Sequence, residues 1–329
     1  MEVFDYDQIR ATLLKGPRVT SLLNHFENIA AGTSQAPTQS IYAASDFLSK
    51  SNEYREYHTV FQRNIGTFYK HLCASIPFFI EEQCRIGVAL QRLAKHRLKD
   101  EKNPFTYYET SSADGTNART LAEYSQGMIR TLTDSPNPAN GENFHKLCQH
   151  SYSDFYIGPF ADITPEYISA RNDRPYLKYG FDVIYENTTF QMYDPNRKAQ
   201  IAYVKRLLKS DGLMIFCEKL INPVRDEYER REHLKDNLFK PHYFTKADID
   251  QKVSQILEEM EQCQVTLDEL VYSISYHFKY AYMIWNSTNF YELVASNDRS
   301  NLEKFISFLG EHYVPAPFLC EEVLVKPLL

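Results

Sequence analysis

The sequence predicts an α/β fold in which a parallel sheet is covered by helices on both faces. Two short apolar runs, 181–185 and 213–217, have the length and composition of buried β-strands. The segment between them carries apolar residues at helical spacing, namely Ile201, Val204, Leu207 and Leu208. A strand, a crossover helix and a second strand in this order place the two strands parallel, and parallel sheets are buried on both faces.

The segment 209–212, of sequence KSDG, is predicted to be the turn between the crossover helix and the second strand. Gly212 stands where that helix would end, and the left-handed backbone of such an end is easiest for glycine. The apolar run that follows is therefore expected to start after Gly212.

This stretch also resembles a known family. The residues that carry the resemblance are, in order, Asn187, Gln191, Pro195, Leu207, Gly212, Glu218 and Lys219. They are similar to the fourth and fifth strands of class I S-adenosylmethionine-dependent methyltransferases, most closely of the carboxy-S-adenosylmethionine synthase type, which acts in tRNA wobble uridine modification. Weaker similarity resumes at 243–260 and 285–295. The resemblance implies a Rossmann-like class I methyltransferase sheet and S-adenosyl-L-methionine as the cofactor.

Composition limits the remaining classes. With 43% hydrophobic and 24% charged residues the chain is typical of a globular protein, and its net charge of −7 argues against a broad nucleic-acid-binding surface. The six cysteines show no paired spacing and no HExxH or CxxC motif occurs, so no metal site is predicted. No signal-peptide core and no apolar run of membrane-spanning length is present, which predicts a cytoplasmic protein without a membrane partner.

Three regions are predicted along the chain: a helical N-terminal or cap region at 1–100, a methyltransferase-like domain at 101–296, and a C-terminal helix and tail at 297–329. In the superfamily, helices ahead of the first strand commonly cap the cofactor pocket. The alternative is that they only pack against the sheet.

The first strand is predicted at 104–108, where the aromatic sequence FTYY favours β-structure. In the superfamily an acidic residue and a glycine-rich turn follow, and the turn lets the backbone approach the methionine part of the cofactor without a Cβ clash. The residues expected in these roles are Glu109, Ser111, Ala113 and Gly115. Only Gly115 is a glycine.

The second strand is predicted at 129–133. By resemblance, a carboxylate after this strand accepts hydrogen bonds from both ribose hydroxyls, which favours Asp134 because a charged group with two oxygens suits that geometry. Thr133, shifted by one residue, is the alternative. A plain Asx turn before Pro136 would also explain Asp134.

The third strand is predicted at 154–157, and the segment 158–163 matches the place where the family contacts the adenine ring. By this resemblance Phe160 stacks on adenine, Ala161 lies beside it and Asp162 accepts from its exocyclic amine. The alternative is that Phe160 is an ordinary core residue without a ligand contact.

The acceptor side of the transferred methyl group is expected at the end of the fourth strand. Asn187 stands where superfamily members line that side, and Tyr185 and Tyr243 are expected to join it as catalytic residues. No universal base is expected, because the sulfonium carbon is already electrophilic and the protein mainly aligns the acceptor.

Val253 bears on the cofactor's identity. The resembled synthase holds the extra carboxylate of its cofactor with an arginine at the position of Val253, and an aliphatic side chain cannot replace that clamp. Lys252 is adjacent but is expected to point about 100° away on the helix. A carboxylated cofactor is therefore disfavoured.

The C-terminal part is predicted to hold a helix from 245 to 260, another at 267–276, an antiparallel hairpin at 280–285 and 289–295, and a helix at 299–312. The apolar tail at 313–329 needs a surface to cover it, on its own domain, on a second copy or on a partner subunit.

These observations lead to S-adenosylmethionine-dependent methyl transfer to an unidentified small-molecule or protein acceptor. A catalytically inactive methyltransferase-like structural or binding subunit is the second hypothesis, because the glycine loop is degenerate. Carboxy-S-adenosylmethionine synthesis is the third.

Overall fold

A mixed sheet forms the centre of the computed structural model, which describes residues 3–98, 103–322 and 325–329. Among the described residues the sheet has eight strands in the order β3-β2-β1-β4-β5-β7-β6-β8. The strands are β1 (Phe105–Thr110), β2 (Ile129–Ser135), β3 (Ser153–Ile157), β4 (Phe181–Asn187), β5 (Leu208–Lys219), β6 (Tyr280–Ser287), β7 (Phe290–Ser296) and β8 (Lys326–Pro327). The first five are parallel, whereas β7 and β8 run antiparallel to their neighbours. The predicted α/β, Rossmann-like fold class is confirmed.

Helices cover the sheet, as a buried parallel sheet requires. They are α1 (Tyr6–Leu13), α2 (Leu23–Ala31), α3 (Ser45–Ser49), α4 (Asn52–Asn64), α5 (Thr67–Ser75), α6 (Phe79–Arg97), α7 (Thr116–Tyr124), α8 (Pro138–Leu147), α9 (Pro165–Ser169), α10 (Arg197–Lys205), α11 (Arg225–Leu234), α12 (Lys246–Lys252), α13 (Glu258–Glu261), α14 (Leu267–Ser275) and α15 (Arg299–Phe308). Within the described chain, no helix has both the length and the apolar character needed to cross a bilayer.

The carboxyl ends of β1, β2 and β4 meet at one edge of the sheet. Glu109 pairs with Thr133 on one side and with Tyr185 on the other. The chain leaves β1 toward β2 and leaves β4 toward β5, so the strand order reverses between β1 and β4. Such a switch point opens a crevice at the strand ends, where α/β proteins bind their ligands.

The predicted turn at 209–212 is wrong. Helix α10 ends at Lys205 and β5 already begins at Leu208, so these residues belong to the strand. Phe181 pairs with Leu208, whereas Val183 pairs with Leu213, which shows a β-bulge in β5. The extra residues of the bulge explain the turn-like composition, and Gly212 serves close packing, because a Cβ there would lie 3.0 Å from the carbonyl oxygen of Asp182.

Helix α5 is anchored above the loop that follows β1. The backbone N–H of Tyr69 donates to Asp114 Oδ2 at 3.3 Å, and the N–H of Gly66 donates to Thr116 Oγ1 at 3.0 Å. A Cβ at Gly66 would lie 2.2 Å from Asp114 Oδ2, so this approach requires glycine. The contact places the side chains of α5 over the strand ends.

The described part of the C-terminal tail packs on its own chain. The ring of Phe318 packs edge-on against the rings of Phe78 and Phe239, and β8 pairs with Met283 and Tyr282 of β6. Val323 and Leu324 of the predicted apolar tail lie outside the described residues, as does the predicted domain boundary at 100 and 101. Association through the tail stays a prediction.

Candidate functional site

A cleft lies at the switch point, between the carboxyl ends of β1 and β4 and a roof built from α2, α5 and α12. It encloses about 770 Å³ of empty space, part of it open to solvent. Its floor is the loop 111–113 with Asn187 and Thr188. Its walls are largely apolar and include Phe26, Phe68, Leu72, Ile76, Met192, Leu257, Met260 and Phe290. The N-terminal helices α2 and α5 thus cap the cleft and do not merely pack against the sheet.

The loop after β1 keeps a glycine-type backbone without glycines. Ser111 and Ala113, which stand where glycines were expected, have φ angles of 43° and 47°. A left-handed conformation costs a residue with a Cβ about 1–2 kcal/mol. Part of this cost is offset by Asp134, which accepts from the Ser111 N–H at 3.0 Å and from Ser111 Oγ at 2.8 Å. Both loop residues line the cleft.

A glycine is required at position 115 for a reason that differs from the predicted one. Its φ is 71°, and a Cβ there would lie 2.8 Å from Thr133 Cγ2 and 2.9 Å from Phe144 Cδ2. The close approach that excludes a side chain is therefore made to β2 and α8, whereas the sequence predicted an approach to the cofactor.

Asp134 and Thr133, the two candidates for the ribose contact, are fully buried and do not line the cleft. Asp134 also accepts from the Tyr108 hydroxyl at 2.7 Å, so both of its oxygens already have partners. Burial raises the pKa of Asp134 to about 6. Thr133 Oγ1 donates to the carbonyl oxygen of Glu109 at 2.9 Å.

The predicted adenine contacts lie behind Tyr193. Phe160 is buried edge-on against the Tyr193 ring at 4.9 Å, and the carbonyl oxygen of Ala161 accepts from the Tyr203 hydroxyl at 2.6 Å. Asp162 forms an ion pair with Arg10 of α1. These residues lie at the same edge of the sheet as the cleft, but the N-terminal segment and Tyr193 separate them from it.

Glu109 and Asn187 form a hydrogen-bonded pair at the ends of β1 and β4. Asn187 lines the cleft, whereas Glu109 is fully buried and is not a lining residue. Asn187 Nδ2 donates to Glu109 Oε1 at 2.8 Å, and Asn117 Nδ2 donates to the same oxygen at 3.1 Å. Glu109 Oε2 and Asn187 Oδ1 are buried and have no hydrogen-bond partner among the described residues. Burial raises the pKa of Glu109 to about 7, against the lowering effect of the bond from Asn187. Two buried acceptors without donors are costly, which indicates a site for a donor group.

The other two predicted catalytic residues do not reach the cleft. Tyr185 is buried under α6, where its hydroxyl donates to Glu292 and accepts from Gln83 Nε2. Tyr243 is half-buried, packs on Phe239 and accepts from the Thr38 N–H with its carbonyl oxygen. Of the three, the structure brings Asn187 alone to the cleft.

The positions of Val253 and Lys252 are the reverse of those predicted: Val253 was expected to face the cofactor and Lys252 to point away. Val253 is 41% exposed, whereas Lys252 lines the cleft with its Nζ 2.7 Å from His71 Nε2. The predicted helix start at Thr245 is confirmed, but α12 ends at Lys252 and continues as a π-helical turn, Val253–Leu257. Neighbours about 100° apart on a helix cannot both face the cleft. An exposed Val253 therefore says nothing about a carboxylated cofactor.

A set of basic side chains in the cleft was missed by the sequence reading. They are Arg18, Lys219, Lys235, Lys240 and Lys252, together with His71. They come from separate segments of the chain, and the segment 222–240 has the charge density of a solvated face. No sequence spacing marks such a set, because its members meet only in the folded protein. In the described residues, no three His, Cys, Asp or Glu side chains are arranged to hold a metal ion.

No protein-family model and no curated protein matches the chain. Among solved structures, it is similar to the plantazolicin methyltransferase BpumL in complex with a monoazolic desmethylPZN analog and SAH, with a TM-score of 0.46, 11% identity, and coverage of 88% of this chain and 98% of that chain. It is also similar to a putative O-methyltransferase from Klebsiella pneumoniae, with a TM-score of 0.41, 14% identity, and coverage of 74% and 90%. The cyclopropane synthase MmaA2 from Mycobacterium tuberculosis has a TM-score of 0.42, 12% identity, and coverage of 79% and 77%. Similarities at this level do not establish a function.

Proposed function

We propose that the protein is an S-adenosylmethionine-dependent methyltransferase whose acceptor is a small molecule bound in the cleft. The observation that carries the proposal is the pair of unpartnered buried acceptors, Glu109 Oε2 and Asn187 Oδ1, at the switch point of the sheet. An ammonium group is the donor that such a pair suits best, because bonds to charged groups are the stronger ones. By the family resemblance, the loop that begins at Glu109 lies beside the methionine part of the cofactor, which carries such an ammonium.

The residues at this end of the site fit the cofactor. Asn187 and Glu109 would hold its amino group, and the left-handed backbone at Ser111 and Ala113 shapes the loop that forms the cleft floor. When bound, S-adenosylmethionine would supply an electrophilic methyl carbon for transfer to the acceptor. The apolar walls exclude water from the acceptor.

Two contacts close the adenosine end. The ion pair between Arg10 and Asp162 is formed by side chains that are 45% and 23% exposed, and such pairs contribute about 0–1 kcal/mol. Tyr193 is held over Ser111 by a 3.2 Å contact between their hydroxyl oxygens. The binding of an adenosine group beside Asp134 and Phe160 requires Tyr193 and the first helix to move aside.

The closed adenosine end also favours a second candidate, a methyltransferase-like subunit that binds no cofactor. In that case Tyr193 and the N-terminal segment would be permanent parts of the core. The two candidates differ in one measurable property, the affinity for S-adenosylmethionine.

Calorimetric titration with S-adenosylmethionine and S-adenosylhomocysteine tests the proposal. We expect both to bind, and we expect Asn187→Leu to weaken binding by about 1.5–3 kcal/mol, the range for a hydrogen bond to a charged group. Val253→Ala, at an exposed position of the roof, is the control and should bind as the unmodified protein does. If neither compound binds at millimolar concentration, the inactive-subunit candidate replaces the methyltransferase.

A further inference from the structure

The cleft is lined by basic side chains. Five of its lining residues are lysine or arginine, and no carboxylate is among the described residues that line it. Burial and the neighbouring Lys240 lower the pKa of Lys252 well below its usual value. Four of the five form what we call the lysine cluster: Lys219, Lys235, Lys240 and Lys252. Arg18 is the fifth. The first three lysines and Arg18 are between 2% and 4% exposed, so water does little to screen them.

Two carboxylates behind the cleft compensate only part of this charge. Glu232 accepts from Lys219 at 2.8 Å and also from Lys235. Asp236 pairs with Lys240 at 2.6 Å and lies 3.6 Å from Lys235. Three lysines therefore share two carboxylates. Burial and the neighbouring Lys235 lower the pKa of Lys240 to about 8.

Among the described residues, Lys252 and Arg18 form no ion pair with a carboxylate, although the charges of Asp134 and Glu186 attract the Arg18 guanidinium. His71 Nδ1 donates to the carbonyl oxygen of Gln35 at 2.9 Å, which leaves Nε2 as the acceptor for Lys252. Lys252 thus contacts a neutral imidazole. Arg18 packs over the Phe26 ring at 5.6 Å, and its Nε has no hydrogen-bond partner among the described residues.

The cofactor cannot neutralise this charge. S-adenosylmethionine carries one carboxylate against an ammonium and a sulfonium, so it adds positive charge to the cleft. Buried like charges destabilise the fold, and lysines relieve part of this cost by losing protons, as the lowered pKa of Lys252 indicates. An anionic second ligand would relieve the remainder.

We propose that the methyl acceptor is a small phosphorylated molecule whose phosphoryl group is held by the lysine cluster. Lysine ammonium groups bind phosphoryl groups as point charges, and a phosphoryl group can carry two negative charges where a single carboxylate carries one. The apolar walls would pack against the remainder of the molecule, with the reacting atom facing Asn187. The assignment as acceptor rests on the proposed methyltransferase function, but the anion site does not.

Calorimetry in the absence of S-adenosylmethionine tests the anion site, with inorganic phosphate and pyrophosphate as probes and malonate as a dicarboxylate of similar charge. Chloride keeps the ionic strength constant. We expect both phosphates to bind more tightly than malonate. Absence of phosphate binding, or malonate binding as tight as that of phosphate, would overturn the proposal without any variant being made.

Variants then locate the site. Lys252→Met should weaken pyrophosphate binding by about tenfold or more, as expected for a charge-assisted bond, and Lys252→Arg should restore most of it. Lys246→Met is the matched control, because Lys246 lies on the same helix with an 84% exposed side chain. Unchanged binding by Lys252→Met would contradict the proposal. Binding of phosphate without binding of the cofactor would contradict the proposed methyltransferase function and support the anion site. Binding of the cofactor without binding of phosphate would support the methyltransferase function and contradict the anion site.

Discussion

Replacement of Arg85 by methionine is expected to destabilise the fold by about 3–5 kcal/mol, the range for a buried pair that loses one partner. Arg85 is 1% exposed and binds Glu82 through two parallel bonds of 2.7 and 2.6 Å. It also donates to the carbonyl oxygens of Ile284 at 2.7 Å and Gly310 at 3.1 Å, and so joins α6 to β6 and to the segment after α15. Without it, Glu82 is left buried beside Glu292, whose pKa is already raised well above its usual value by burial and by Glu82.

Urea unfolding of three variants measures this effect. Arg92→Met is the matched control, since Arg92 lies on the same helix and its ion pair with Glu53 is about one-third exposed, which predicts a loss of at most about 1 kcal/mol. The double variant with Glu82→Gln and Arg85→Met should regain part of the loss, because the charge of Glu82 is removed together with that of Arg85. Equal losses for Arg85→Met and Arg92→Met would show that the buried pair is not structurally important.

Glu109→Gln is expected to change how stability depends on pH. The pKa of Glu109 is about 7 in the folded protein, against a usual value of 4.5. Below pH 4.5 the carboxyl group is protonated in both the folded and the unfolded chain. Its burial then lowers the free energy of unfolding least. As pH rises from 4.5 to 7 the unfolded chain releases the proton first, so the unmodified protein loses stability in this window. Glutamine has no proton to lose.

The free energy of unfolding of Glu109→Gln relative to the unmodified protein should therefore rise by about 2–3 kcal/mol between pH 5 and pH 8. A difference between two chains is the useful quantity, because the other titrating groups contribute equally to both. Glu142→Gln, at an exposed position of α8, is the control. A constant difference between Glu109→Gln and the unmodified protein would mean that Glu109 is ionised at neutral pH in the folded state.

Most strands were predictable because they are short runs rich in apolar, aromatic or β-branched residues, and burial on both faces leaves the clearest signal at 181–185. The short strand β8 was not predicted. The bulge at 209–212 was not, since lysine, serine, aspartate and glycine in succession are also what a turn contains. The rotation that brings Lys252 into the cleft depends on packing around α12, which no local pattern encodes.

Some residues of the site could be predicted from the sequence, and others could not. Asn187 reaches the cleft because it is the last residue of a buried strand, so its position depends on one element alone. Asp134 also lies at the end of its strand and Phe160 follows its own, but Tyr193 and the first helix cover them, and that contact joins residues far apart in sequence. The lysine cluster was not predictable either, because its members come from several segments of the chain.

A crystal structure of the protein grown with S-adenosylhomocysteine is the most direct test of the central claim, that the switch-point cleft binds this cofactor. The predicted result is a ligand whose amino nitrogen lies within hydrogen-bond distance of Asn187 Oδ1 or Glu109 Oε2, with Tyr193 displaced from Ser111. A saturated crystal with Tyr193 in place and no ligand at the ends of β1 and β4 would contradict it.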